Sequence, residues 1–359
     1  MRTKSYLLSF VCIVGTTLLL LLFGDQRPSI QSIVTETHKQ LTNNLRTFKD
    51  NLKVVEEKRL EADEEYLSLL GFTQPEPRLY PGVVWTNTSL PVVVTYLLDG
   101  QAEHGVSLIR NIAHYLPNHT VLIYNLGLGR YQLHLLQLNC NNSHCIVINF
   151  DLNAFPSFVS DDKLHAFRPL IIQDALNRAG AILYLACDQR LVTSSINQLI
   201  EKAVSSPGTG VVTWATKHAV TSLTHPRMFD YFSSSDDAFF FLPMVDVDRL
   251  LVYNTHTVHW KLMLPWVQCA LIRDCIIPIG AQSAGCRFNK KPQYRYSGCH
   301  SYDVSAFNIV LGLTFKFNDM LYTYQDSASY FKKVTLAAAT EEVTKLLENG
   351  TVDSSTTDS

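Results

Sequence analysis

The sequence contains no glycine-rich phosphate loop. A GxGxxG pattern after the first apolar strand and a GxxxxGK[ST] pattern are both missing, so dinucleotide cofactors and P-loop nucleotides lack their usual backbone cradle. No two cysteines have the CxxC spacing of a zinc site. Lysine and arginine total 30 against 32 aspartate and glutamate, without a basic stripe. This balance excludes nucleic acid as an expected partner.

One long apolar run stands near the start of the chain. Residues Tyr6–Phe23 carry no charge, and Arg2 and Lys4 precede them, which predicts a membrane-spanning helix with a cytoplasmic N-terminus. The alternative is a cleaved signal peptide. We favour an uncleaved signal anchor, because the run is long and its end at Gly24 lacks a small-x-small cleavage site. Either topology places the bulk of the chain in the lumen or outside the cell.

Glycosylation triplets and cysteines favour the same side of the membrane. Acceptor triplets begin at Asn87, Asn118, Asn141 and Asn349. The cysteines after the apolar run cluster in neighbouring pairs, which is economical in an oxidising compartment. We expect the local disulfides Cys140–Cys145, Cys269–Cys275 and Cys286–Cys299, with Cys187 left as a buried free thiol, although other pairings are open.

A heptad pattern over residues 41–69 predicts a helix, with Arg59 as the one polar member of its apolar seam. This helix forms either a dimerising stem or a helix packed on its own domain. Prolines 75, 77 and 81 then indicate a linker. The expected divisions are therefore a cytoplasmic tail, an anchor, a luminal stem, an α/β domain and a C-terminal helix with a disordered tail, at residues 1–5, 6–23, 24–79, 80–333 and 334–359.

The domain alternates apolar strands with helical patterns. Parallel βαβ units with helices on both faces of a Rossmann-like mixed sheet are typical of this alternation. The sequence predicts strands over residues 91–98, 121–128, 145–152, 181–187 and 210–215, with helical patterns between them. Further on it predicts strands over residues 239–244 and 245–253, and helices over residues 256–272, 302–313 and 334–347.

The stretch Ala181–Leu191 places an acid and a base at the end of a buried strand. Ligands of open α/β sheets bind at such ends, so Asp188 is a candidate ligand and Arg190 a candidate phosphate contact. Arg168, near a predicted helix start, is also placed to meet an anion. The alternatives are that Asp188 caps a turn and that Arg190 is solvated.

Several segments resemble a known family. VVVTYLL, IYNLGLG, FRPLIIQDAL, AILYLACDQRL, THPRMFDYF and GCHSYDVSAFNIVL are similar to animal secretory-pathway proteins of the DUF1647 type. That family is grouped with the nucleotide-diphospho-sugar transferase superfamily of GT-A fold. The resemblance covers residues 85–320 and implies a GT-A-like sheet that binds a nucleotide-sugar donor.

The resemblance also implies site residues. In the family, the strand before Arg190 carries an aspartate where this chain has Ala186, so Asp188 is the remaining half of an Asp-x-Asp. Such acids hold a divalent cation, here Mn²⁺, against the donor diphosphate. The segment from Cys299 resembles an Asp-Gln helix start with Val304 in place of Gln. It implies His300 as a third metal ligand, Asp303 as a catalytic sugar contact and Asn308 as a donor contact.

The expected function is that of a single-pass type II glycosyltransferase-like protein of the Golgi or endoplasmic reticulum. It would transfer a sugar from a nucleotide donor to a luminal glycan or protein acceptor, and His225, Pro226 and Asp230 would shape the acceptor loop. If the heptad helix forms a stem, we expect the protein to dimerise through it. The alternative is a glycosyltransferase fold that has lost catalysis and serves as a luminal binding or scaffold protein, which Ala186 and Val304 favour.

Overall fold

The computed structural model describes residues 13–18, 59–75, 77–80, 90–140, 144–205, 208–289 and 291–353. The chain divides into two units, Met1–Lys58 and Arg59–Ser359. Of the first unit only residues 13–18 are described, and they are helical. In the described residues, no helix is both long and apolar enough to cross a membrane. The rest of the predicted anchor and the heptads before Arg59 lie outside the described residues.

Ten strands are described in the second unit, and they are short. They are β1 (Val92–Leu97), β2 (Val121–Asn125), β3 (Cys145–Asn149), β4 (Ala181–Leu185), β5 (Gln189–Leu191), β6 (Val211–Val212), β7 (Ala215–Ala219), β8 (Pro243–Val245), β9 (Arg249–Tyr253) and β10 (Phe331–Lys333).

Helices alternate with these strands. They are α1 (Glu64–Leu69), α2 (Ala102–Tyr115), α3 (Arg130–Cys140), α4 (Phe167–Ala179), α5 (Asn197–Val204), α6 (Pro226–Tyr231), α7 (Leu264–Leu271), α8 (Arg273–Ile276), α9 (Asp303–Thr314) and α10 (Leu336–Asp353). A π-helical segment over Val258–Met263 leads into α7. The long predicted helix over residues 256–272 therefore changes its winding just before Pro265, which cannot donate a backbone hydrogen bond.

The central sheet has the order β3-β2-β1-β4-β9-β6. Strands β1 to β4 pair in parallel, whereas β9 runs antiparallel to both β4 and β6. Two small ribbons, β5 with β10 and β7 with β8, pair in antiparallel fashion. The predicted mixed α/β sheet is confirmed. Its one reversed strand, β9, determines which residues lie at the candidate site.

Period-two alternation explains why the sheet has helices on both faces. Val94 and Tyr184 face a core shared with α4, α7 and α9. Their neighbours Val93 and Leu185 face a second core, shared with α2, α3, α5 and α10. Strands buried on both faces read as continuous apolar runs, as these do. Buried apolar area of this kind contributes about 25 cal/mol per Å² to folding.

The predicted disulfides are confirmed. Cys140–Cys145, Cys269–Cys275 and Cys286–Cys299 are bonded, and among the described residues Cys187 is the free cysteine. Burial raises the pKa of the Cys187 thiol to about 12, with Asp188 adding to the shift. A thiol with that pKa is protonated at neutral pH and does not act as a nucleophile.

Residues 59–72 pack on the α/β domain, which differs from the expected start near Tyr80. Leu70 and Phe72 are buried in the main core, and Tyr66 lies 6.0 Å from Phe155 between ring centroids. Of the described seam positions, Tyr66 and Ala62 pack against this core, whereas Leu69 is 57% exposed. The helix is also shorter than the heptads predict, because α1 begins at Glu64. The described segment therefore contacts its own domain, and the dimerising stem stays a prediction.

Two glycines with left-handed backbones offer a test of packing beside β9. Gly210 (φ +76°) accepts a hydrogen bond from Tyr253, and a Cβ there would lie 3.0 Å from Val258 Cγ2. Gly100 (φ +78°) has nothing within 4 Å of the same added atom. We expect Gly100→Ala to cost about 1 kcal/mol from backbone strain alone. Gly210→Ala should cost about 1–2 kcal/mol more, because crowding adds to the strain. Urea denaturation of both variants measures the difference, and equal losses would contradict the packing described.

Candidate functional site

The turn after β4 is held from two sides. Ala186 N donates to Asp248 O across the sheet at 2.8 Å, and Gln189 N donates back to Ala186 O at 2.9 Å. The chain then enters β5, which pairs with β10. Because both partners are strands, the turn cannot shift without breaking sheet hydrogen bonds. Asp188 is thereby fixed at the carboxyl edge of β4.

Asp188 is engaged by side chains on both oxygens. Its Oδ2 lies 2.9 Å from Lys333 Nζ, and its Oδ1 accepts a hydrogen bond from Gln189 Nε2 at 3.0 Å. The Asp188 side chain is 23% exposed and that of Lys333 is 68% exposed. The hydrogen bond to Asp188 raises the pKa of Lys333, and Asp248 adds to this while Arg249 opposes it. Lys333 is therefore a cation at neutral pH, placed at the sheet edge.

Antiparallel β9 brings a second acidic sequence to the same edge. Because Leu185 at the end of β4 pairs with Arg249 at the start of β9, the residues before Arg249 lie beside the β4 turn. They read Asp246-Val247-Asp248. Asp248 N donates to Asp246 Oδ1 at 3.2 Å, and Arg249 forms an ion pair with Asp246. Burial raises the pKa of Asp246, while Arg249 lowers it.

These residues form one polar group, here called the strand-edge cluster: Asp188, Asp246, Asp248, Arg249 and Lys333. Arg249 also lies over the Trp214 ring, with its Cζ 5.9 Å from the ring centroid, a cation–π arrangement that orients the guanidinium. Three carboxylates and two cations at one strand edge can bind hydroxyl groups and phosphate oxygens together. The cluster is the main candidate site.

Arg168 and Asp303 meet beneath this edge. Arg168 Nε lies 3.4 Å from Asp303 Oδ2, and the two side chains are 6% and 1% exposed. Trp266 Nε1 donates to Asp303 O at 2.9 Å and fixes the start of α9. Residues with positive φ precede both partners, His165 before α4 and Tyr302 before α9. Such strained positions concentrate at functional sites, where the surrounding structure holds them.

The Arg168–Asp303 pair is close without being well hydrogen bonded. Neither Arg168 Nε nor Asp303 Oδ2 has a hydrogen-bond partner. Burial raises the pKa of Asp303 to about 7, and the Arg168 guanidinium only partly opposes this. Asp248 influences the pKa of both Asp303 and Lys333, so it links the buried pair electrostatically to the strand-edge cluster. Asp303 is too buried to contact a sugar directly in this conformation.

His165 and Tyr96 extend the buried pair toward β1. The Tyr96 hydroxyl and His165 Nδ1 lie 3.1 Å apart. Burial, helped by the Arg168 charge, lowers the pKa of His165 to about 4. A neutral imidazole therefore stands next to the buried guanidinium at neutral pH. Both residues are functional candidates that the sequence analysis missed.

Arg190 and Asn308 form hydrogen bonds within the chain, mostly to backbone groups. Arg190 donates to Ser107 Oγ at 3.0 Å and to the Cys187 and Gln189 carbonyls at 2.7 Å. Asn308 accepts from Val245 N at 2.8 Å and donates to Val245 O at 2.9 Å. The expectation that these two side chains contact a donor does not match their placement. Instead, Arg190 braces the β4 turn and Asn308 fixes the backbone next to Asp246.

His300 is also occupied. Its Nδ1 accepts from His225 N at 3.1 Å and its Nε2 lies 3.2 Å from Ile276 O. Burial lowers the pKa of His300 to about 3. The imidazole is therefore neutral and ties α6 and α8 to the start of α9. His225 itself caps α6, with its side chain accepting from Arg227 N, while Pro226 and Asp230 belong to α6.

A metal ion does not fit the donor set expected from the sequence. In the described parts of the chain, no group of three or more His, Cys, Asp or Glu side chains could hold a metal. Asp188 Oδ2 is paired with Lys333, and both His300 nitrogens are hydrogen bonded within the chain. The Asp188 and His300 set for Mn²⁺ is corrected accordingly. The positive charge next to Asp188 comes from an ammonium group.

Sequence signals existed for only part of the site. Asp246-Val-Asp248 is an Asp-x-Asp directly before an apolar strand, whereas the sequence pattern of open α/β sheets directs attention to the residues after a strand. Lys333 carries no motif, since its place depends on the pairing of β10 with β5. Tyr96 and His165 stand at a strand end and before a helix, without a pattern that marks them.

The model of one protein family matches part of the chain. The family is described as "Protein of unknown function (DUF1647)", and the match covers residues 59–173. It confirms the resemblance from Arg59 through β1, β2, β3 and the first half of α4. The segment from Cys299 to Leu311 lies beyond the match. No curated protein matches the chain at a significant level.

Solved structures of low similarity accompany this match. Core-mannan synthase A from Aspergillus fumigatus is 9% identical, with a TM-score of 0.40 over 73% of this chain and 81% of that one. Mouse xyloside xylosyltransferase 1 is 13% identical, with a TM-score of 0.36 over 66% and 84%. WbbM bifunctional glycosyltransferase is 15% identical, with a TM-score of 0.36 over 51% and 35%. The chain spans about a third of WbbM's length. With TM-scores below 0.5, these likenesses carry no conclusion about activity.

Stability as a function of pH tests the buried Arg168–Asp303 pair. The folded pKa of Asp303 is about 7, against about 3.9 in an unfolded chain. The native state then holds the proton of Asp303 more tightly than the unfolded chain does. The resulting contribution to the free energy of unfolding is complete below pH 4 and is lost as the pH rises through 7. Between pH 4 and pH 8, the free energy of unfolding of the wild-type chain should fall by about 2–4 kcal/mol relative to that of Asp303→Asn.

Urea denaturation of both proteins across that pH range measures the effect. Groups other than residue 303 are common to the two chains and cancel in the difference. Parallel stability curves would show that Asp303 is ionised throughout and would contradict the raised pKa.

Proposed function

We propose that this chain is a glycosyltransferase-like protein that binds a nucleotide sugar at the strand-edge cluster. The observation that carries the proposal is the position of the cluster. Asp188, Asp246, Asp248, Arg249 and Lys333 lie where a buried strand of a mainly parallel sheet ends. Ligands of open α/β sheets bind outside the carboxyl ends of the strands. The DUF1647 match over residues 59–173 is consistent with this proposal.

The chemistry of the cluster suits a diphosphate and a sugar. A glycine-rich loop is missing from the sequence, so side chains have to contact the phosphate oxygens. Lys333 and Arg249 are the cations at the edge and carry that role. The carboxylates of Asp188, Asp246 and Asp248 accept hydrogen bonds from ribose or sugar hydroxyls. The buried Arg168–Asp303 pair lies below and holds α4 and α9 in place.

Transfer of the sugar to a luminal acceptor is the finer part of the proposal. The three disulfides support an oxidising compartment, in which the acceptor is a glycan or a protein of the secretory pathway. The membrane anchor, the type II topology and a dimer through the stem are parts of the same proposal.

A second function is favoured by one observation. Asp188 is paired with Lys333 and Ala186 stands where the resembling family carries its first acid. A site of that kind binds a donor without activating its leaving group. The second candidate is therefore a donor-binding scaffold protein that does not transfer the sugar.

Lys333 provides the test of the donor site. The full chain is titrated with UDP-, GDP- and CMP-sugars, with Mg²⁺ or Mn²⁺ and with EDTA, by isothermal calorimetry. We expect Lys333→Met to weaken the binding of the best donor tenfold or more, because it removes a charge next to Asp188. Lys332→Met is the matched control, since Lys332 is a neighbouring exposed lysine of β10 that pairs opposite Arg190. It should leave the affinity unchanged.

Three outcomes are informative. Absence of binding for every donor in the wild-type chain would overturn the proposal. Equal effects of Lys333→Met and Lys332→Met would remove Lys333 from the site. Bound donor that stays intact during incubation with secretory glycans, measured by mass spectrometry, would favour the scaffold over the transferase.

A further inference from the structure

A cavity of about 700 Å³ lies apart from the strand-edge cluster, between the β7–β8 ribbon and the loop that the Cys286–Cys299 disulfide closes. We call it the aromatic groove. Four aromatic side chains line it: Phe240, Phe241, Phe288 and Tyr294. Phe241 is 87% exposed and Phe288 is 43% exposed. Exposed rings gathered in a concave site are typical of a binding surface, because single scattered ones would need no explanation.

Two pairs of rings in the groove are stacked. Phe240 stacks on Tyr294 with ring centroids 4.5 Å apart and planes 20° apart. His218 stacks on Phe288 with centroids 4.3 Å apart and planes 23° apart. Phe241 packs edge-on against Tyr294 at 5.6 Å. Stacked pairs keep their ring planes in a set orientation, so the groove presents preformed flat surfaces.

Polar side chains complete the groove. Thr216, Lys217, His218 and Gln293 line the same cavity, and no aspartate or glutamate is among its described lining residues. Hydroxyl, ammonium, imidazole and amide groups are donors or acceptors for hydroxyl-rich ligands. The stacked Phe240–Tyr294 pair also borders a smaller cavity of about 310 Å³. The wall of rings therefore serves two adjoining depressions.

This combination fits a saccharide. A pyranose ring has an apolar face of C–H groups and an equatorial rim of hydroxyls, so it needs a flat aromatic surface together with polar partners at its edge. A lipid chain would need an apolar lining all round. A groove of about 700 Å³ lies within the range of ligand sites. Its size is suited to an oligosaccharide of a few rings.

The β7–β8 ribbon leads along the chain from the groove to the strand-edge cluster. Ala219 pairs with Pro243 at the groove, and Ala215 pairs with Val245 at the other end. Val245 is followed directly by Asp246. Since a strand rises about 3.3 Å per residue, the three steps from Pro243 in the groove to Asp246 in the cluster span about 10 Å. The groove therefore lies near the proposed donor site.

We propose that the aromatic groove is the acceptor subsite and that it binds an oligosaccharide by stacking its rings on Phe241, Phe288 and Tyr294. The role as an acceptor subsite rests on the proposed function, whereas binding of a saccharide to the groove does not. Lys217, the cation at the rim, contacts the hydroxyl or carboxylate edge of the sugar. The acceptor class is thus a glycan.

Glycan binding without any nucleotide sugar tests the groove alone. The full chain is applied to a printed array of secretory-type glycans, with chitotriose, maltotriose and chondroitin tetrasaccharide included, and the best binder is titrated by calorimetry. Phe241→Ala should lower the affinity for that glycan tenfold or more. Tyr131→Ala is the matched control, because Tyr131 is 79% exposed on α3, away from the groove, and it should leave binding unchanged.

Each outcome separates the groove from the donor site. Lys333→Met should retain the glycan even where it loses the nucleotide sugar. An array without any glycan bound above background would overturn the groove proposal, as would a bound glycan that is indifferent to both Phe241→Ala and Phe288→Ala. Binding of phosphatidylcholine vesicles or of an extended hexapeptide library that Phe241→Ala abolishes, without glycan binding, would assign the groove to another ligand. Circular dichroism of the variants verifies that they are folded.

Discussion

Antiparallel pairing of β9 with β4 is the constraint on which the rest of the site depends. The register sets Leu185 opposite Arg249, and the bond from Ala186 N to Asp248 O at 2.8 Å closes the pairing just beyond the strand. A parallel strand at this place would have carried its preceding residues to the far edge of the sheet. The reversal instead delivers Asp246, Asp248 and Arg249 to the carboxyl edge of β4, beside Asp188.

Side-chain cations pair with two of the three carboxylates at this edge. Lys333 pairs with Asp188 and Arg249 pairs with Asp246, while Arg168 and Asp303 form a buried pair below them. The Lys333 side chain is 68% exposed, so its pair with Asp188 contributes little to stability and can open for a ligand. The Arg249–Asp246 pair is less exposed, at 18% and 26%. Breaking the buried Arg168–Asp303 pair is costly, so this pair supports the helices that stay in place.

Local pattern predicted much of the fold, because it depends on residues close in the chain. Apolar runs predicted the strands β1, β2, β3 and β4, and the close spacing of cysteines predicted all three disulfides. The antiparallel direction of β9 and the pairing of β10 with β5 are long-range events without a local signature. For that reason the sequence predicts Asp188 as a site residue but does not indicate its neighbours Lys333 and Asp248. Arg190 is predicted as a phosphate contact from its position at a strand end, and the family resemblance implies His300 and Asn308 as ligands. Their hydrogen bonds to the backbone could not be read from sequence.

The same distinction holds at the N-terminal side of the domain. Heptad spacing alone does not decide whether a helix meets a second copy or its own domain. Residues 59–72 contact their own domain through Leu70 and Phe72, which are buried in the core of the α/β unit, while the last seam residue, Leu69, is 57% exposed. For the seam positions before Arg59, the dimerising stem and the helix packed on its own domain both stay predictions.

Amide hydrogen exchange of the full chain, with and without a mixture of UDP-, GDP- and CMP-sugars, tests the central claim most directly. Bound donor at the strand-edge cluster should slow exchange in residues 186–190, 246–249 and 331–334 together, since these three segments meet there in space. Unchanged exchange in all three segments at saturating nucleotide sugar, or protection confined to other parts of the chain, would contradict the assignment of the donor site.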